Sequence, residues 1–300
     1  MTKRLSSKIL YSMAALGSVA FFALSGCTLV QEKPSLNQTA KSAQSEIEAI
    51  ENNHHVAVGL SLRDEKANVL LEWRSRERFP LTSTVKALQC ARVYDLGLEK
   101  VQARIGTVKA VSHSPVFGRL APETEVTLKD ACRAALSKSD NRAANFIFAH
   151  TGGPKALTAW LRQKGDSTTR SDRTEPDLNT FAPGEYRDTT TPSNASLTWQ
   201  RLDAGMSQSA KNQWLEDLAG NVGSSNLLRA QLPQGWRLYD RTGAGSDAFY
   251  ATRAIHAILV SDESHRYYAA IHLKAPAQTP LSQRDAVMQE VIDVLYRVLE

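Results

Sequence analysis

Apolar residues recur at two different periods along this chain, and the change of period divides it into regions. Between Ala40 and Asn52, Ala43, Ile47 and Ile50 fall four and three apart among Glu and Lys, the spacing of an amphipathic helix. Two short apolar runs follow, Val56 to Leu62 and Val69 to Trp73, around the polar turn Asp64-Glu65-Lys66-Ala67-Asn68, which predicts a β-hairpin. Helical spacing then dominates. Helices are predicted from Ser83 to about Leu96 with Gly97 as cap, from Thr127 to Leu136, from Asn141 to Ala149 before Gly152-Gly153, and from Pro154 to Lys164. Residues 170–188 show no periodicity, and so long a loop inside a compact domain is usually functional. Helices resume at Ser193 to Met206 and Ala210 to Leu218. Trp236 to Thr242, Ala251 to Val260 and Arg266 to Leu273 have strand composition, and Leu281 to Leu299 closes the chain as a long helix.

Strands at both ends with helices between predict an α/β fold in which an antiparallel sheet with flanking helices is built from both termini. On this reading residues 40–77 and 221–300 form the α/β part, residues 78–220 form an all-helical part, and a site lies at their junction. The catalytic domain is expected to cover 40–300.

The amino terminus belongs to neither part. Residues 1–26 carry Lys3, Arg4 and Lys8 and then an apolar run from Ile9 to Leu24, the pattern of an export signal. As a membrane span the run is short and interrupted by Ser12, Gly17 and Ser18. It ends in Leu24-Ser25-Gly26-Cys27, which resembles a bacterial lipobox, in which the cysteine is acylated. Residues 27–39 then read as a flexible polar tether. The expected location is the cell envelope, with Cys27 lipid-anchored, most readily in the outer membrane, and the catalytic domain facing the periplasm. Without its first 26 residues the chain's formal charge falls from +5 to +2, so the basic balance is partly a property of the signal and carries no nucleic-acid footprint. Cys90 and Cys132 remain, either as a disulfide suited to an oxidising compartment or as two buried thiols.

Candidate chemistry centres on Ser83-Thr84-Val85-Lys86. On a helix, a spacing of three puts the hydroxyl and the ammonium about a turn apart on one face. A serine needs an adjacent base, and a desolvated lysine can supply one. Alone this motif is a common accident of solvated helices. Here it is followed by Ser139-Asp140-Asn141, Glu175-Pro176-Asp177-Leu178-Asn179 and Arg241-Thr242-Gly243. Together these resemble the signature of class A serine β-lactamases, over nearly all of the chain from about residue 40 and including Leu227 to Pro233.

The resemblance implies hydrolysis of the β-lactam amide bond of penicillins, and some cephalosporins, through an acyl-enzyme on Ser83, with resistance to these drugs as the consequence. It implies Lys86, or Glu175 through water, as acylation base. Ser139 would carry the proton to the leaving nitrogen, Asn141 would bind the substrate's acylamino side chain, and Glu175 with Asn179 would direct the deacylating water. Asp140 is read as structural. Arg241, Thr242 and Gly243 would receive the substrate carboxylate, with Arg241 in place of the commoner lysine, as in penicillinases that hydrolyse carbenicillin. Ser83 and Ala244 would supply the backbone donors of an oxyanion hole. Arg266 is a second carboxylate-binding candidate, against an even chance of being a solvated turn charge, and His113 is a candidate wall at the cleft mouth. An ion pair of Arg173 with Asp188 would pin an Ω-loop, and a Cys90–Cys132 bridge is common in relatives. Thr82 and Gly245 stand where some carbapenem-hydrolysing relatives carry cysteines, so penicillins are expected to be preferred. No cofactor is called for, and the histidines lack metal-ligand spacing. A monomer is expected. Two rivals remain: a penicillin-binding peptidase, which Glu175 disfavours, and a silent lipoprotein that senses β-lactams or wall fragments.

Overall fold

The computed structural model describes the chain from Leu36 to Glu300, with side chains from Gln38 onward. The signal segment, Cys27 and most of the expected tether lie outside the described residues. Helix α1 spans Leu36–His54, so it begins four residues before the expected start and takes in the end of the stretch read as tether; no Gly or Pro interrupts residues 35–54. Strands β1 (Ala57–Asp64) and β2 (Val69–Trp73) form the predicted hairpin, pairing Leu60 with Trp73 and Leu62 with Leu71. After the two-residue strand β3 (Phe79–Pro80) comes a 3-10 turn, Thr82–Thr84, which runs straight into α2 (Val85–Asp95). Strands β4 (Gln102–Arg104) and β5 (Glu125–Thr127) make a small ribbon. Helices α3 (Leu128–Lys138), α4 (Asn141–His150) and α5 (Gly153–Gln163) follow. Strand β6 (Thr189–Thr190) pairs with β3, and α6 (Pro192–Gly205) and α7 (Gln208–Ala219) complete the helical part. Strands β7 (Arg237–Ser246), β8 (Tyr250–Val260) and β9 (Arg266–Pro276) precede α8 (Leu281–Leu299).

The main sheet is antiparallel with strand order β2-β1-β9-β8-β7. The sheet neighbours β1 and β9 are thus joined across almost the whole chain, which makes the sheet from both termini as the pattern predicts. One face packs on α1 and α8 through Ile47, Leu60, Ile255, Ile271, Met288 and Ile292. A second core fills the helical part and reaches the sheet's opposite face at Ile258, Val260 and Tyr268. Covered on both faces, β8 is buried along nearly its whole length and loses the strict polar alternation of a half-exposed strand. Cys90 of α2 and Cys132 of α3 are bridged, with Cα atoms 5.4 Å apart, which ties together the helices that lead away from Ser83 and toward Ser139. Among the described residues no helix is long and apolar enough to cross a membrane.

Strand β7 is an edge. Its outer rim faces the 3-10 turn that carries Ser83, and the approach is close: a Cβ on Gly243 would stand 2.0 Å from Thr82 Oγ1 and 3.0 Å from the Ser83 backbone nitrogen. Only glycine lets strand and turn meet here.

Candidate active site

A cleft of about 540 Å³ opens between the helical part and β7, lined among others by Ser83, Ser139, Asn141, Asn179, Arg241 and Ala244. Each arrives by a different local device. Ser83 sits in the tight turn before α2, and Lys86 points back at it from the first turn of that helix. Ser139 ends α3 in the left-handed conformation, at φ 57°, and so turns its hydroxyl away from the helix axis. Asp140 then caps α4: Oδ1 accepts from Ala143 N, and Oδ2 from the Val116 and Phe117 amides. Its carboxylate is spent on three backbone donors, a structural role.

Lys86 is wholly buried. Its Nζ stands 3.0 Å from Ser83 Oγ, 2.9 Å from Ser139 O, 3.2 Å from Ser139 Oγ, 2.6 Å from Asn141 Oδ1 and 3.0 Å from Glu175 Oε1. Burial pulls this ammonium from its ordinary 10.5 down to about 8, with Glu175 resisting the fall and Arg241 adding to it. Ser139 Oγ is also 3.1 Å from Ser83 Oγ, so serine, lysine and serine form a closed triangle of proton-exchanging groups.

Glu175 reaches this triangle from the loop at 170–188. Arg173 Nε pairs with Asp188 Oδ2 at 2.5 Å, and Asp188 Oδ1 accepts from the Asp172 and Arg173 amides, closing the loop's ends as expected. The Glu175–Pro176 peptide bond is cis. Asn145 holds the Glu175 backbone from both sides: its Nδ2 donates to Glu175 O and its Oδ1 accepts from Glu175 N, each at 2.9 Å. Asn179 Nδ2 donates to Glu175 Oε2 at 2.6 Å. Glu175 Oε1, facing Lys86 Nζ at 3.0 Å, and Asn179 Oδ1 are both buried, and among the described residues Asn179 Oδ1 accepts no hydrogen bond.

This constellation can be compared with known proteins. Residues 42–299 match the model of the beta-lactamase enzyme family. Beta-lactamase CARB-3 of Pseudomonas aeruginosa is 37% identical over 256 residues, covering 83% of this chain and 88% of the relative. Beta-lactamase L2 of Stenotrophomonas maltophilia is 40% identical over 218 residues, 70% of this chain and 71% of its own. The crystal structure of the chromosome-encoded beta-lactamase of Vibrio parahaemolyticus superposes with a TM-score of 0.80 at 34% identity, covering 86% of this chain and 99% of that one. The chain is a class A β-lactamase. It hydrolyses β-lactams, the activity by which such enzymes confer resistance.

On the sheet side of this β-lactamase, Arg241 is buried at the centre of β7. Its Nε donates to Ser83 O at 3.3 Å, and its Nη1 donates to Leu136 O at 3.3 Å and Asn221 Oδ1 at 2.8 Å. Nη2 is left as its one nitrogen without a protein acceptor among the described residues, so Arg241 offers the cleft a charge and one nitrogen, less than the two-pronged fork of a free guanidinium. Burial draws it down to about 10, against the pull of Asp240 and with the repulsion of Arg253. Thr242, Gly243 and Ala244 line the cleft beside it, and exposed His113 stands at its wall, its carbonyl accepting from Asn141 N.

Arg266 is a correction. It starts β9 opposite Val260, at the other end of the sheet from Gly243, and Asp203 grips it through Nε at 2.7 Å and Nη2 at 2.9 Å. Strand direction places it away from the cleft. The sequence reading passed over Arg253, which faces Ala244 across the β7–β8 pair, lines the cleft, and pairs with Asp285 at 2.6 Å. A lone arginine inside the apolar run from Ala251 to Val260 was the available signal. Asn145 was also passed over; it lies four residues after Asn141, on the same face of α4.

Proposed function

We propose that Ser83 opens the β-lactam ring while Lys86 takes its proton directly. At pKa about 8 roughly a tenth of Lys86 is neutral at pH 7, within 3.0 Å of the hydroxyl it would deprotonate. As the Ser83 Oγ–carbonyl bond forms and the ring C–N bond breaks, the proton passes from Lys86 to Ser139, which delivers it to the leaving nitrogen. The Ser83 and Ala244 amides hold the carbonyl oxygen, Asn141 the acylamino group, and Arg241 with Thr242 the carboxylate, past the small Gly243. Water then attacks the ester, Glu175 takes one of its protons, and Ser83 leaves with a proton returned. Glu175 Oε1, which meets Lys86, and Asn179 Oδ1, which accepts no hydrogen bond among the described residues, are acceptors suited to the O–H bonds of that water.

The observation that carries this reading is the meeting of Ser83, Lys86, Ser139 and Glu175 around one ammonium. Its test is Glu175→Ala. Lys86 keeps its contact with Ser83, so acylation survives, whereas deacylation falls by about 10²–10⁴-fold. Mass spectrometry of the intact protein with benzylpenicillin then shows one penicilloyl adduct, absent from Ser83→Ala. Turnover at the wild-type rate without adduct overturns the assignment.

Penicillins, including those with a second carboxylate in the side chain, are the proposed preferred substrates, because Arg241 meets the cleft with no carboxylate bound to it. All groups come from one chain, which supports a monomer. We further propose that Cys27 carries lipid in the mature protein, tethering the catalytic domain on the periplasmic side of a membrane. This rests on Leu24-Ser25-Gly26-Cys27 behind an apolar run. Cys27→Ser moves the activity to the soluble fraction of cells; equal membrane retention of both proteins refutes the anchor.

A further inference from the structure

Asp240 and Arg241 are neighbours on β7 whose side chains leave opposite faces of an edge strand. Asp240 is fully buried and does not line the cleft. Between them, at the open edge, runs the loop after α7, and one side chain in it touches both. Asn221 Nδ2 donates to Asp240 Oδ2 at 2.8 Å, while Asn221 Oδ1 accepts from Arg241 Nη1 at 2.8 Å and from Gly223 N at 3.0 Å. Arg229 completes the frame: its Nη2 donates to Asp240 Oδ1 at 3.0 Å and its Nε to the Asn221 carbonyl at 3.2 Å.

This network leaves the amide one orientation. A carboxylate can only accept and a guanidinium can only donate, so the NH₂ end must face Asp240 and the oxygen must face Arg241. The Asp240 charge is taken up by Arg229, the next residue along the frame. Among the described residues no carboxylate forms an ion pair with Arg241; three neutral oxygens hold it instead. A guanidinium directly bonded to a buried carboxylate would have its field cancelled. An amide interposed between the two fixes the direction of Arg241 and leaves its charge to the cleft.

We propose that Asn221 is a positioning residue, an amide spacer locked by Asp240 that aims Arg241 and keeps its charge available to an anionic substrate group. The inference rests on the reading of Arg241 as the cation that receives the β-lactam carboxylate.

Asp240→Asn is the sharpest test, because it is isosteric, remote from substrate and buried. An amide at 240 accepts poorly from Asn221 when its own NH₂ faces that side, and Asn221 then loses the contact that dictates its orientation. KM for benzylpenicillin rises roughly tenfold, with kcat within about threefold of wild type. Asn221→Ala gives a similar rise, and keeps the proposal testable if Asp240→Asn folds poorly by thermal melting. The double variants decide whether the effect runs through the spacer. Adding Asp240→Asn to Asn221→Ala, or Asn221→Ala to Arg241→Ala, produces no further rise in KM. Equal rises in both backgrounds, or an unchanged KM in the single variants, overturns the spacer. If Arg241→Ala itself leaves KM unchanged, the carboxylate reading fails and the proposal falls with it; a normal Arg241→Ala loss with additive Asn221→Ala refutes the spacer alone.

Discussion

Arg241 and Arg266 begin from the same chemistry on strands of one sheet, and the structure uses them in opposite ways. Arg266 is gripped by Asp203 through two nitrogens, and Asp203 also accepts from Tyr268 Oη at 2.7 Å. Its charge is consumed inside the protein. Arg241 is more deeply buried, yet it is held by two carbonyls and an amide oxygen, with no carboxylate bound. The carboxylates differ in their partners: Asp188 is wrapped by an arginine and two backbone amides, whereas Glu175 faces the Lys86 ammonium beside Ser83 at 3.0 Å and accepts from the Asn179 amide. Arg266 and Asp188, which hold the fold, are saturated, whereas Arg241 in the cleft keeps a charge that no bound carboxylate cancels. An unneutralised buried ion costs stability, so it marks function more sharply than burial or charge alone.

The contrast breaks most visibly in catalysis. Arg241→Ala lowers kcat/KM for benzylpenicillin by about 10–100-fold, the loss expected for a charged hydrogen-bonding partner, while Arg266→Ala leaves kcat/KM within about twofold below its melting temperature. Equal losses in steady-state assays would erase the distinction. In stability the order reverses. Arg266→Ala strands Asp203 in the interior and costs about 3 kcal/mol by urea unfolding.

A third measurement sharpens the comparison at a buried site that is neutral. His256 of β8 and His272 of β9 meet Nε2 to Nε2 at 3.0 Å beneath Trp199 and Phe79, so one ring donates and the other accepts. Burial holds His256 down to about 3 and His272 well below its ordinary value, with Lys274 and the partner ring adding to the latter. The unfolded chain binds protons at these rings from about pH 6.5 downward, and the folded chain does not. Stability is therefore full above that pH and declines as pH falls toward the folded values, by roughly 1 kcal/mol per unit for each ring. His256→Gln flattens the slope between pH 6 and 4.5 in denaturant titrations, and an unchanged slope refutes it. The smallest effect belongs to Arg241→Lys. With the charge kept, kcat/KM for benzylpenicillin stays within about an order of magnitude, and the loss is larger for penicillins carrying a second carboxylate. An identical loss for both would show that Arg241 Nη2 contributes only its charge.

Much of this enzyme was legible in the chain because local rules sufficed. Helical period, turn residues and glycine caps depend on neighbours a few positions away, and the predicted helices and the β1–β2 hairpin follow them to within a few residues. The Ser83-Thr84-Val85-Lys86 spacing already puts hydroxyl and ammonium together, since one helical turn connects them. What the sequence left open depends on distance across the fold. Strand direction sends Arg266 to the far end of the sheet and brings Arg253 to the cleft, and no residue near either arginine encodes which. Asn221, Asp240 and Arg241 form one network only because β7 is an edge and the loop after α7 runs along it. The depressed pKa of Lys86 likewise comes from burial among groups separated by up to 155 positions, the distance from Lys86 to Arg241. Side-chain identity and spacing determine which groups can react; tertiary packing decides which charges are cancelled and which remain free to act.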